Sequence, residues 1–153
     1  MISLEPIGTV VGGRTEATDD DWGEVEAVIR LDGRRFEVDA VAGLSEFSHL
    51  VVVFQFHLVS EADVVMGARH PRGNTAWSKV GMFAQRAKMR PNRLGVSNCA
   101  LLRVDGSDLL VRGLDAVDGT PVLDVKPFMS EFERAPESVH QPVWATDLMQ
   151  GYY

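Results

Sequence analysis

The stretch VSNCALLRV (Val96 to Val104), then DGSD (Asp105 to Asp108), then LLVRGL (Leu109 to Leu114) decides how this chain is built. Two apolar, β-rich runs around a short Asp/Gly turn predict an antiparallel hairpin. Downstream, Thr120 to Pro127 follows the Asp118-Gly119 turn as another strand. Upstream, Leu50 to His57 is mostly apolar, as in a strand covered on both faces, and Val80 to Gln85 is a shorter candidate. Val25 to Arg30 alternates in character, and Arg34 to Val38 is expected to pair with it across Asp32-Gly33. Ile2 to Val11 is rich in β-branched and apolar residues.

Strands at this spacing, with no alternating helical pattern, predict a mainly β chain closed into a single-sheeted antiparallel barrel with a few short helices. One or two helical turns are expected at Glu61 to Gly67 and another stretch at Trp144 to Gln150, with His70 to Asn74 as a loop. Residues 1–153 read as a single domain, and 130–153 as a C-terminal tail packing on the barrel or on a partner subunit. A chain of this length buries roughly two-thirds of the surface its unfolded form exposes.

The single cysteine, Cys99, has no internal partner, and the start MISLEPIG lacks the zones of a secretory signal, so a reducing cytoplasm is expected. No apolar run approaches the roughly 20 residues that span a bilayer, and no membrane role is expected. The net charge of −7 conceals a segregation. Between Asp63 and Asp105 there is no acid, yet Arg69, Arg72, Lys79, Arg86, Lys88, Arg90, Arg93 and Arg103 all lie there; the remainder holds 22 acids against seven bases. Such a segment is either a solvated basic loop or an anion-binding surface built from bidentate donors.

Several chemistries are excluded by their missing motifs. There is no phosphate loop, no paired-cysteine zinc pattern and no nucleophile elbow. Gly12-Gly13 lacks the third glycine of a dinucleotide fingerprint. His49, His57, His70 and His140 lack metal-site spacing, and the run Asp19 to Asp21 lacks the alternating ligands of a calcium loop, so no metal is expected. Hydrogen-bonded structural roles are expected for His49 and His57, although His57 at its strand end is placed to line a pocket. Cys99 reads as a buried, inert thiol.

The densest constellation is GMFAQRAKMRPNRLG (Gly81 to Gly95). Three arginines and a lysine within eight residues repel one another unless solvated or engaged by an anion. Pro91 fixes the backbone after Arg90, Asn92 is able to bond to backbone or ligand, and Gly95 permits a sharp exit into the next strand.

These segments, taken together, resemble the TrmO family, also called TsaA-like or YaeB-like methyltransferases. GLSEFSHL (Gly43 to Leu50) resembles its GLexFSHL segment and FQFH (Phe54 to His57) its FxFH strand end. VGMFAQR (Val80 to Arg86) and RPNRLG (Arg90 to Gly95) resemble GxFAxR and RPNPIG, with Arg93 in place of the second proline. LDAVDGTPVLDVKPF (Leu114 to Phe128) resembles LDxxDGTPxxDIKPY, so the match runs in order over roughly residues 5–130.

The resemblance implies a homodimeric barrel that binds S-adenosyl-L-methionine outside the Rossmann-like architecture and methylates N6 of threonylcarbamoyl-adenosine beside the tRNA anticodon. It places the cofactor against Asp20, Asp21, Trp22, His57, Leu58, Arg86, Asp115, Ala116, Val117, Asp118, Gly119 and Thr120. Main-chain groups near Leu58 and Val117 would hold adenine edges, a carboxylate the ribose hydroxyls or the amino group, and an arginine the methionyl carboxylate. Asn92 and Asp118 are the candidates for orienting the attacking nitrogen or accepting its proton. Arg90 and Arg93 are the leading tRNA contacts. The variant Arg93, and the absence of the extra C-terminal domain of longer members, keep two alternatives open: a methyltransferase for a small molecule, and a non-catalytic S-adenosylmethionine-binding protein.

Overall fold

The structure, a computed structural model, describes residues 1–133 and 138–153. Six strands close into an antiparallel barrel: β1 (Gly8–Val11), β2 (Glu26–Leu31), β3 (His49–Gln55), β6 (Leu94–Asp105), β7 (Asp108–Arg112) and β8 (Pro121–Pro127). Their order around the wall is β1-β2-β7-β6-β3-β8, with β8 returning to β1 through Gly8↔Val122 and Thr9↔Pro121. A separate ribbon pairs β4 (Ala68–Arg69) with β5 (Val80–Gly81), and α1 (Val143–Leu148) is the one α-helix among the described residues.

Alternation of side chains decides what lies inside. Val10, Ile29, Leu50, Val52, Leu109, Val111 and Val122 are wholly buried, and Ala27, Phe54, Cys99, Leu114 and Ala116 complete the interior. In β3 the pattern alternates, with Leu50, Val52 and Phe54 inward and Val51, Val53 and Gln55 partly exposed. This corrects the expectation of a strand covered on both faces: β-branched residues also suit the outer surface of a twisted wall. The Phe54 ring crosses β6 at Gly95, where any Cβ would lie 2.4 Å from the ring. That close approach requires glycine.

The β6–β7 hairpin forms as expected, with Asp105 opposite Asp108 and Gly106 at φ 58° on the first loop position, as two-residue hairpins prefer. β6 serves two neighbours. Its first half pairs with β3 and its second with β7, and a register shift between Leu101 and Arg103 bends it around the wall.

The expected strand Arg34 to Val38 does not form. Arg35 and Phe36 N–H both donate to the Asp32 carbonyl, at 3.0 and 3.2 Å, and the Asp32 carboxylate accepts from Arg34 N–H. The chain coils because both edges of β2 are already occupied by β1 and β7. Other differences are of length. Residues 2–7 precede a β1 of only four residues, Val80-Gly81 gives way to a 3-10 turn at Met82–Ala84, and Glu61–Asp63 is also a single 3-10 turn.

Strand direction sorts the connections. β1, β3 and β7 run one way and β2, β6 and β8 the other. Residues 12–25, 56–93 and 113–120 therefore all leave from one end, here the upper end, while 32–48, the Gly106-Ser107 turn and the exit from β8 lie at the lower end.

Candidate functional site

Every residue that the resemblance associates with cofactor or substrate falls in the three upper connections. They are tied to one another. In the 113–120 turn, Asp118 Oδ1 accepts from Gly12 N–H at 2.8 Å, Asp118 N–H donates to the Arg14 carbonyl at 2.7 Å, and Gly119 N–H donates to the Val10 carbonyl at 2.8 Å. His57 reaches the same turn: a Cβ on Gly119 would stand 3.8 Å from its Nε2. Asp118 and Gly119 are exposed, whereas Ala116, Val117 and Thr120 are buried and present main chain.

The 12–25 connection is braced by a residue that sequence reading passed over. The Arg14 guanidinium donates to Thr18 Oγ1, to the Asp20 carbonyl and to the Asp21 carbonyl, and stacks 4.6 Å from the Trp22 ring centroid. Trp22 is buried and its indole N–H donates to the Thr18 carbonyl at 3.2 Å. Asp21 holds a left-handed φ of 65°, tolerable for aspartate. The Asp20 carboxylate pairs with Arg72 at 3.0 Å, linking this connection to the basic segment.

Asp115 lies deeper. Ser97 Oγ donates to its Oδ1 and the Tyr152 hydroxyl to its Oδ2. Burial and the Asp115 charge push the Tyr152 phenol above its ordinary value, so at neutral pH it is a donor. Tyr153 is raised chiefly by burial and by Asp115, against the lowering influence of Arg86. Ser97, Tyr152, Arg14 and Arg72 had no motif to mark them; the partners of Ser97, Tyr152 and Arg72 lie 18, 37 and 52 residues away, whereas Arg14 bonds within its own connection.

The basic segment is organised by its own carbonyls. Arg86 donates to the Val96 carbonyl at 2.8 Å, Arg90 to the Gln85 carbonyl at 3.0 Å and the Ala87 carbonyl at 3.4 Å, and Arg93 to the Val59 carbonyl at 2.8 Å. Carbonyls satisfy donors without cancelling charge. Among the described residues only Arg72 and Arg103 in this segment meet carboxylates, with Arg103 4.0 Å from Asp105. Arg93 has φ 50° and its N–H donates to the Arg90 carbonyl at 2.9 Å. Proline allows neither that φ nor that bond. The turn here is thus one that the RPNPIG pattern cannot make. Asn92 is exposed at its tip.

Two open surface hollows flank the first strand. One runs along β1 and β2 between Pro6, Arg30 and Arg34 and contains none of the expected site residues; the other, lined by Gly13, Arg14, Thr15, Glu16 and Thr18, adjoins the Asp118 contact. Cys99 is buried from reagents, its thiol pushed up to about 12 by burial and the nearby Asp115 charge. No cluster of metal ligands occurs among the described residues, and no helix there is long and apolar enough to cross a membrane. His49 bonds Ser48 Oγ at 2.8 Å from an exposed position, a local role.

Residues 20–134 fit the sequence profile of the tRNA-methyltransferase O N-terminal domain. The human tRNA (adenine(37)-N6)-methyltransferase is 36% identical over 129 residues, covering 83% of this chain and 29% of that protein. A probable S-adenosyl-L-methionine-binding protein of Pyrococcus abyssi is 32% identical over 143 residues, covering 87% and 71%. The crystal structure of TrmO from Pseudomonas aeruginosa superposes with a TM-score of 0.72 at 27% identity, covering 91% of this chain and 61% of that one. This chain spans less than a third of the human relative's length. With its closed six-stranded barrel and its three motif-bearing upper connections, the chain belongs to the tRNA-methyltransferase O N-terminal domain family.

Proposed function

We propose that the protein is a cytoplasmic S-adenosylmethionine-dependent methyltransferase whose acceptor is N6 of threonylcarbamoyl-adenosine in tRNA. The observation that carries this reading is the convergence of the Asp20–Trp22 loop, His57, Arg86 and the Asp115–Thr120 turn at one barrel end, beside a segment free of acids. The donor set fits the cofactor. A zwitterionic amino acid bearing a ribose needs a guanidinium, carboxylates and main-chain groups together, and Arg86, Asp115, Asp118 and the buried Ala116-Val117 backbone supply them.

The cofactor brings an electrophilic methyl group on a sulfonium. The protein's share is positioning. Arg86 spends one nitrogen on the Val96 carbonyl, which steadies the guanidinium and leaves its other donors for the methionyl carboxylate. Asp118 is steadied by Gly12 N–H through one oxygen, leaving the other as an acceptor for the amine proton. Asn92, exposed in the Arg90–Arg93 turn, orients the acceptor base, while Arg90 and Arg93 hold its carboxylate and flanking phosphates. Leu58, Met66, Phe83 and Val96 are large exposed apolar residues on the segments around this end. A second copy of the chain would cover them, consistent with a homodimer.

The deciding experiment is transfer of labelled methyl from S-adenosylmethionine to tRNA carrying threonylcarbamoyl-adenosine, with unmodified tRNA as control. Label on the modified tRNA alone is expected. Cofactor binding without transfer to either tRNA would overturn the acceptor and turn the search to small molecules or to a binding role.

A further inference from the structure

The last residues of the chain return to the end from which the site is built. β8 ends at the lower end, where Phe128 N–H donates to the His49 carbonyl. Yet Gly151 and Tyr152 lie at the upper end: Asp21 N–H donates to the Gly151 carbonyl at 2.9 Å and Trp22 N–H to the Tyr152 carbonyl at 2.8 Å. Trp144 of α1 sits 6.5 Å from Trp77, a second attachment to the 56–93 connection. The sequence leaves room for this return. A Cβ on Gly23 would stand 2.8 Å from the Tyr153 carbonyl carbon, so the close approach depends on a glycine more than a hundred residues away.

One short segment thereby touches two elements assigned to the cofactor: the 20–22 loop through its main chain, and Asp115 through Tyr152. We infer that Tyr152 is a positioning residue for S-adenosylmethionine, acting through Asp115, and that Gly151–Tyr153 forms one wall of the cofactor site. The inference rests on the cofactor assignment above. A carboxylate has about four acceptor positions. Ser97 and Tyr152 take one on each oxygen of Asp115, which fixes the plane of the carboxylate and leaves the other positions for the ribose hydroxyls or the amino group. Without the Tyr152 hydroxyl the carboxylate is free to rotate about its remaining bond to Ser97.

The test is calorimetric binding of S-adenosylmethionine to the full chain, with a melting curve for each variant. Tyr152→Phe keeps the ring and the main-chain bonds, and is expected to raise Kd by about fivefold, within the range of couplings in one hydrogen-bond network. In an Asp115→Ala background the same change should add nothing, because the partner through which it acts is gone. Gly23→Ala, which displaces the tail without touching either side chain, should weaken binding by a similar factor. An unchanged Kd in Tyr152→Phe, or the same weakening with and without Asp115, overturns the inference. Absence of binding by the unsubstituted protein overturns the cofactor assignment itself, a distinct outcome.

Discussion

The two ends of the barrel are built by different means. At the lower end β6 and β7 are joined by two residues, Gly106 and Ser107, and the Asp32 turn is stitched by local main-chain bonds. Exposed pairs such as Arg30–Asp108, with two hydrogen bonds of 2.9 Å, stand on the outer wall just beside it. At the upper end the connections 12–25, 56–93 and 113–120 are fastened instead by side chains: arginine donors on main-chain carbonyls, and the half-buried Asp115 carboxylate held by Ser97 and Tyr152. Short turns fix the register of a wall. Long connections supply side chains that a wall cannot present, and they depend on the wall for their footing.

This contrast breaks most visibly if stability and binding fail to separate. Leu50→Ala, in the core near the lower end, should destabilise by about 2–5 kcal/mol in a denaturant melt and leave the S-adenosylmethionine Kd of the folded fraction unchanged. Arg86→Ala should do the reverse. Removal of a charge-assisted hydrogen bond of about 1.5–3 kcal/mol corresponds to a Kd raised by at least tenfold, with little change in melting. An unchanged Kd would remove Arg86 from the cofactor site.

Gly106→Ala sharpens the comparison from the other side. At φ 58° the substitution should cost about 1 kcal/mol of stability without any effect on transfer. Arg90→Ala or Arg93→Ala should lower the salt dependence of tRNA binding by about one unit of slope for each phosphate left without its arginine, read by titrating tRNA at several salt concentrations. A slope that does not change would return the segment to the role of a solvated loop.

Cys99 tests whether the wall itself is closed. Its folded value of about 12 lies above the ordinary 9.0 because burial opposes the thiolate. The raised group stabilises the fold fully below pH 9 and loses that contribution as pH climbs toward 12. Native protein should resist a thiol reagent at pH 8 and react once unfolded. Rapid reaction in the native state would mean that the interior beneath Asp115 is open.

The barrel was legible because the evidence for it is local: alternation in Val25 to Arg30, the Asp105–Asp108 turn, and apolar runs of strand length. Arg34 to Val38 misled because a Gly turn announces a hairpin only where the preceding strand has a free edge, and closure left β2 none. The proposed site was legible only through the motif segments, whose resemblance marks Arg86 and the Asp115–Thr120 turn. It was illegible wherever one partner carries no pattern. Nothing local in the sequence connects Ser97 or Tyr152 to Asp115, or Arg72 to Asp20; those pairings exist only once the strands have taken their order.

Gln85 shows what such fastening implies over the lifetime of a molecule. Its buried amide nitrogen donates to the Arg69 carbonyl at 3.2 Å and to the Val80 carbonyl at 2.9 Å, spanning both strands of the β4–β5 ribbon. Hydrolysis of that single amide to an acid would exchange two attractions for two repulsions between oxygens. The six-stranded wall makes no use of this side chain. Chemical ageing at this position would therefore loosen the basic segment and leave the barrel closed, so an old molecule would pass as folded with the proposed tRNA-binding face out of place.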